Sequence, residues 1–208
     1  SRHPSNTAFF TTLTLLNPNS SLKIKNVGLN STRIGFYKIL MKQKAKIKFV
    51  NLRKQNNELT GDILVKSSKL KPIKTPPEIY SSTTDEYLLL FLIAGFQKGI
   101  SIFRGISGLA NKESSRAYEM KKILNQLGVK CTLNKNIMKI YGNGMTNASK
   151  KKILVDDLGD HRVAMCAFIL GVLTNAKTLI KNFETVFTSS PSFLKIMTNL
   201  GAKFEIQN

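Results

Sequence analysis

Two short polar runs carry the residue types that could do chemistry: Asn111-Lys112-Glu113-Ser114-Ser115-Arg116 and Gly159-Asp160-His161-Arg162. Each opens an apolar-periodic stretch that reads as a helix, so its charged side chains gather at a helix N-terminus. That end of a helix carries unpaired N–H groups and a partial positive charge, which makes it an anion site before any side chain is added. Lys112, Arg116 and Arg162 added to two such ends describe a pocket for phosphate or carboxylate. Glu113 and Asp160 are then acids held among cations, an arrangement suited to proton transfer on an anionic substrate.

These runs need a frame to bring them together, and the chain supplies a repeated one. A helix, a turn, a strand, a second helix and a second strand recur three times. The first copy reads as helix 6–16, strand 22–27, helix 33–41 and strand 46–50. The second reads as helix 85–96, strand 100–104, helix 114–127 and strand 130–133. The third reads as helix 161–173, strand 178–181, helix 191–200 and strand 203–206. Gly128 and Gly201 stand where a helix C-terminus wants a left-handed residue before a strand. Further strands at 62–65, 137–141 and 152–155 separate the copies. The pattern predicts an α/β fold whose sheets each bury one face against helices, with repeat units at about 1–68, 69–142 and 143–208 of one domain. Residues 69–84, with three prolines, and the polar link 143–151 read as the irregular connections.

At 208 residues and 42% hydrophobic residues the chain can bury a real core. Its most apolar run, around residues 87–96, is too short to span a bilayer and reads as a buried helix. The first residues lack a signal peptide's charged-then-apolar order, which makes the cytosol the expected compartment. Cys131 and Cys166 sit in unrelated contexts and read as reduced core thiols. No His/Cys cluster has ligand spacing and no glycine-rich nucleotide loop occurs, so neither metal nor organic cofactor is expected. The net charge of +20 is the unusual number. It suits a polyanion such as nucleic acid. Yet the lysines are scattered, only Lys150-Lys151-Lys152 is compact, and the aromatic interleaving used to stack on bases is absent.

Five motifs, in order along nearly the whole chain, resemble those of the 5-enolpyruvylshikimate-3-phosphate synthase family. Lys112-Glu113-Ser114-Ser115-Arg116 is similar to its Lys-Glu-Ser/Thr-Asp-Arg, and Asp160-His161-Arg162 with Ala164-Met165 to its Asp-His-Arg segment. Thr84-Asp85-Glu86 resembles Ile-Asp-Glu. Residues 26–33, Asn-Val-Gly-Leu-Asn-Ser-Thr-Arg, resemble Asn-Val-Gly-Leu-Asn-Pro-Thr-Arg, and Thr188-Ser189-Ser190-Pro191 a Thr-Ser-Phe-Pro segment. The resemblance implies one of two domains, each a pseudo-threefold array of βαβαββ units (the inside-out α/β barrel of the enolpyruvyl transferases). By the same resemblance this chain looks like the C-terminal half, and the N-terminal half is expected to lie outside it.

The resemblance further implies transfer of the enolpyruvyl group of phosphoenolpyruvate to the 5-hydroxyl of shikimate 3-phosphate by addition and elimination. Asp85 would orient or deprotonate the attacking hydroxyl, and Glu113 would protonate the methylene carbon. Lys112 would share that proton transfer or bind the sugar phosphate, while Arg116 and Arg162 would grip phosphate or carboxylate in bidentate fashion. His161 is expected to orient or pack rather than titrate. The sequence departs from the family pattern at Ser115, where an Asp is usual, and at residues 2–6, where Gly-Asp-x-Ser-Ser is usual. Half a cleft cannot hold two substrates in attack geometry, so the chain alone is expected to be inactive. Two other readings stand beside this one: the related transferase acting on a UDP-aminosugar, and a noncatalytic basic domain.

Overall fold

A computed structural model describes residues 4–79, 83, 86–106, 114–134, 136–156, 160–184, 186, 192–199 and 202–205. The first unit runs α1 (Pro4–Leu16), β1 (Ser21–Gly28), α2 (Gly35–Lys42), β2 (Lys46–Gln55) and β3 (Glu58–Lys66). The second runs β4 (Lys74–Thr75), α3 (Tyr87–Phe96), β5 (Gly99–Arg104), α4 (Ser114–Gln126), β6 (Lys130–Asn134) and β7 (Ile137–Gly142). The third holds β8 (Lys152–Val155), α5 (His161–Thr174), β9 (Lys177–Ile180) and α6 (Phe193–Asn199). The threefold α/β frame expected from the sequence is thus present.

Helix α3 is apolar all round and α5 nearly so, and a helix with no polar face must be buried. Residues 87–95 of α3 are all buried, as are residues 163–170 of α5. Helices α1, α3 and α5 pack on one another, so the helices sit inside and the sheets outside. Helix α1 carries threonines into this core and satisfies them locally. Thr12 donates to the Ala8 carbonyl and Thr14 to that of Phe10, while Thr7 and Thr11 meet the Tyr37 hydroxyl. Burial pushes the Tyr37 phenol up to about 12, with the two threonine bonds working against it.

The second helices end alike. Ala45 N–H bonds to the Leu40 carbonyl, Val129 N–H to that of Leu124 and Ala202 N–H to that of Met197, at 3.0, 2.9 and 3.0 Å. These are the same helix-closing bond at the same spacing in all three units. Gly128 supplies the left-handed turn in the second (φ +83°) and Lys44 in the first (φ +75°), while Gly201 lies outside the described residues. In the first unit a non-glycine residue thus accepts the conformation that glycine adopts without strain.

The sheets differ in completeness. The first has the order β1-β3-β2, with β3 antiparallel to both neighbours. The second has the order β4-β5-β7-β6, with β7 antiparallel to both neighbours and β4 parallel to β5. The third holds β8 and β9 alone, in parallel. The strand expected at 203–206 is not formed in its described part: residues 202–205 follow the helix joint but meet no neighbouring strand. A strand without a ladder partner has no hydrogen bonds to hold its backbone extended. The link 143–151 is also more ordered than its polarity predicts. It forms turns and a short 3-10 helix pinned by buried Met145 and Ala148.

The sheets also explain where the charge goes. Strands alternate faces, and the outer face of the first sheet presents exposed Lys23, Lys25, Lys46, Lys48 and Lys66. Ile24, Val27, Ile47, Ile63 and Val65 on the other face are buried. The lysines are the solvated side of a period-two pattern. No helix among the described residues is long and apolar enough to cross a membrane.

Candidate active site

Asp160 is the N-cap of α5: its Oδ1 accepts the backbone N–H of Arg162 at 2.9 Å and of Val163 at 3.3 Å. Two of the orphan donors of that helix are satisfied in this way. Its other oxygen accepts Nε–H of Arg116, from α4, at 2.5 Å. One carboxylate therefore fixes both an arginine of α4 and the helix end that carries Arg162. The pair is about four-fifths shielded, with side-chain exposures of 22% for Arg116 and 19% for Asp160. Charge-assisted bonds in such surroundings are shorter and stronger than neutral ones.

This geometry bears on how Arg116 is used. Its spacing from Lys112 and Glu113 is also that of an ion-pair cluster along a single helix surface. Arg116 also reaches 44 residues along the chain to the end of a different helix. Asp160 thus binds the side chain of Arg116 and the backbone N–H of Arg162.

His161 follows on the same helix end, partly buried. Burial, and next the Arg162 charge, hold its pKa below the ordinary 6.5, with Arg116 pulling the same way and Asp160 opposing them. The shift disfavours the protonated ring. Burial pushes the Cys166 thiol far up, and burial likewise pushes Cys131 up to about 12. Both thiols are free and buried, as expected, and unreactive as nucleophiles.

Lys112 and Glu113 lie outside the described residues, immediately ahead of α4, and so does Asp85, which precedes the N-cap residue of α3, Glu86. Of the predicted site residues, Arg116 meets Asp160 through its side chain and Arg162 meets it through its backbone N–H. The sequence reading placed Asp160 among the acids of the pocket but missed its bridging role. The signal was present in part: an Asp just ahead of an apolar helical run is an N-cap signature. Its bond to Arg116 has no sequence signal.

The model of the EPSP synthase (3-phosphoshikimate 1-carboxyvinyltransferase) family matches residues 3–197. The 3-phosphoshikimate 1-carboxyvinyltransferase of Zymomonas mobilis is 35% identical over 205 residues, covering 98% of this chain and 45% of that relative. That of Carboxydothermus hydrogenoformans is 35% identical over 199 residues, covering 94% and 45%. Among solved structures, an EPSP synthase from Acinetobacter baumannii superposes with a TM-score of 0.89 at 30% identity, covering 99% of this chain and 47% of that one. The enolpyruvyl transferase NikO of Streptomyces tendae shares the fold, with a TM-score of 0.66 at 13% identity over 96% of this chain and 43% of that one. The chain spans about half the length of the relatives it matches. Its matched length, its fold and the order of its motifs agree: this chain belongs to the EPSP synthase family.

Proposed function

We propose that this chain is one wall of an enolpyruvyl transferase cleft, the C-terminal half, acting with an N-terminal half on phosphoenolpyruvate and shikimate 3-phosphate. Residues 1–208 form a single domain of three units, at about 1–68, 69–142 and 143–208, and the assembled enzyme works in the cytoplasm. The observation that carries this reading is the tie of Arg116 and the Arg162-bearing helix end to Asp160.

In the reaction, the 5-hydroxyl oxygen attacks C2 of phosphoenolpyruvate while the methylene carbon C3 takes a proton, giving a tetrahedral adduct. Loss of a proton from C3 and of inorganic phosphate from C2 restores the double bond in the product. Asp85 accepts or directs the hydroxyl proton, and Glu113, assisted by Lys112, serves the methylene carbon. Arg116 and Arg162 hold the carboxylate and phosphate of phosphoenolpyruvate, with Lys112 and Asp85 completing the contacts to the sugar. Cations beside Glu113 favour its ionised form, so bound anionic substrates must offset them before it carries a proton near pH 7. In this reading His161 orients or packs, and its lowered pKa disfavours a competing charge.

The test is turnover by the two halves together. Phosphate release is expected only when both are present, and is expected to collapse with Arg116→Ala and Arg162→Ala. Normal turnover after both changes and Glu113→Gln would overturn the site. A polyanion-binding domain would instead bind nucleic acid with affinity that falls steeply with salt and ignores both arginines.

A further inference from the structure

The outer faces of the first and third sheets are not alike: the first presents lysines, whereas the third mixes lysines with leucines. In the third, exposed residues alternate with covered ones on both strands. Lys152 and Leu154 of β8, and Lys177 and Leu179 of β9, therefore point to solvent. The parallel register sets Lys152 beside Lys177 and Leu154 beside Leu179. The two leucines are 46% and 53% exposed. At the far end of the strands Lys181 Nζ meets Asp156 Oδ1 at 3.5 Å. Two lysines, two leucines and an ion pair thus follow one another across the face.

Both like pairs are exposed to water at a cost. Adjacent leucines keep apolar surface hydrated, and like charges side by side repel. Among the described residues no acid pairs with Lys152 or Lys177. Lys150 and Lys151, also exposed, extend the positive charge along the chain from Lys152. The backbone of β8 at Leu154 is already engaged: the Gln126 side chain of α4 accepts the Leu154 N–H at 2.7 Å and donates to its carbonyl at 3.1 Å. What this face offers a partner is therefore its side chains.

We propose that the outer face of β8 and β9 docks on an anionic membrane surface. Leu154 and Leu179 enter the boundary between headgroups and acyl chains, while Lys150, Lys151, Lys152 and Lys177 meet the negative headgroups. Lysine stems can lie along the apolar layer with their ammonium groups in the polar one, so both residue types are satisfied together. Charge selects this occupant over a second copy, since two such faces would set lysine against lysine on chains of net charge +20. Nucleic acid would use the lysines and leave both leucines wet. A stable protein interface covers about 800 Å² per partner around an apolar centre, for which two leucines are too few. Neither two leucines nor four lysines hold a protein on a bilayer alone, but the two signals together give reversible attachment. The proposal is independent of the transferase reading.

The test is sedimentation of the full chain with phosphatidylcholine vesicles, with or without about one-third phosphatidylserine, at about 0.1 M salt. Binding is expected only to the vesicles that contain phosphatidylserine. Leu154→Ser with Leu179→Ser keeps the net charge and is expected to weaken binding at least about tenfold, as is Lys152→Gln with Lys177→Gln. Lys46→Gln with Lys66→Gln is the matched control, because these exposed lysines also face each other across two strands, in the first sheet. It removes the same charge and is expected to change binding by less than about threefold. Equal losses in the two lysine pairs would overturn the proposal, leaving only attraction by net charge, and so would undiminished binding by the leucine variant. All six positions are exposed or nearly so, and circular dichroism checks that the variants keep the fold. The chain has no tryptophan, so Leu179→Trp supplies a lone fluorophore whose emission is expected to shift to the blue on the anionic vesicles. An unshifted emission overturns the insertion of this face. Leucine-dependent binding to polyglutamate as tight as to the vesicles also overturns it, in favour of an acidic protein partner.

Discussion

Asp62 and Asp160 are both largely shielded acids in a chain where bases outnumber acids 32 to 12, yet they do different work. Asp62, on β3, accepts the Asn26 backbone N–H at 2.9 Å and the Asn51 side-chain amide at 2.8 Å, with Lys23 and Arg53 at 3.9 and 4.0 Å. Asn26 and Asn51 are left-handed residues at the irregularities of β1 and β2, on either side of β3. Every partner of Asp62 thus belongs to one sheet. Asp160 instead joins a helix of the second unit to a helix of the third. The first acid holds a sheet's irregular edges in register. The second sets two units, and the arginines they carry, relative to each other. A buried acid's purpose is read from whether its partners are local or distant.

The largest effect that sharpens this contrast is on the arginines themselves. In the assembled enzyme, Arg116→Ala or Arg162→Ala is expected to lower kcat/KM by about 10²–10³, the range for removing a charge-stabilising donor, with circular dichroism unchanged. Next comes Asp160→Asn, which keeps the shape and removes the charge that holds Arg116. It is expected to lower kcat/KM by about tenfold or more and Tm by a few degrees, since charge-assisted bonds contribute about 1.5–3 kcal/mol. Asp62→Asn should do the reverse, lowering Tm while leaving kcat/KM of the assembled enzyme within about twofold. Equal losses of kcat/KM in the two variants would erase the distinction.

Two pH effects are smaller. The Asn51 amide, and next the Asn26 N–H, hold the Asp62 carboxyl below the ordinary value of 3.8. A depressed acid stabilises the fold fully above its unfolded pKa, and that contribution is lost as pH falls through the folded one. Acid unfolding monitored by circular dichroism should therefore be less steep below pH 4 in Asp62→Asn. His161, whose pKa burial depresses, acts in a higher window: stability is full above about 6.5 and declines as pH falls below it, because the unfolded state takes up the proton first. His161→Gln should flatten the stability curve between about pH 5 and 7, and leave it unaltered near pH 8.

The units, their helices and most strands were legible because apolar runs and polar turns recur with fixed spacing. Residues 87–96 announced a buried helix by having no polar face. The strand at 203–206 was misread because local pattern cannot say whether a ladder partner stands alongside. The Asp62 cluster was invisible for a related reason, since it needs two bulges 25 residues apart to face one strand (Asn26 and Asn51). At the site, Arg116, Arg162 and Asp160 were named from residue type and motif, whereas the bond from Arg116 to Asp160 required the packing of α4 against α5.

Helix α3 has a consequence for how this chain can change. An amphipathic helix leaves its wet side free to drift, and a small rotation can re-aim a poor substitution toward solvent. Nine successive shielded positions, residues 87–95, leave no such refuge. Any new polar group there must find a hydrogen-bond partner in the interior or cost about 1–3 kcal/mol. Sequence variation among copies of this domain should therefore collect on the outward strands and stay away from the central three helices.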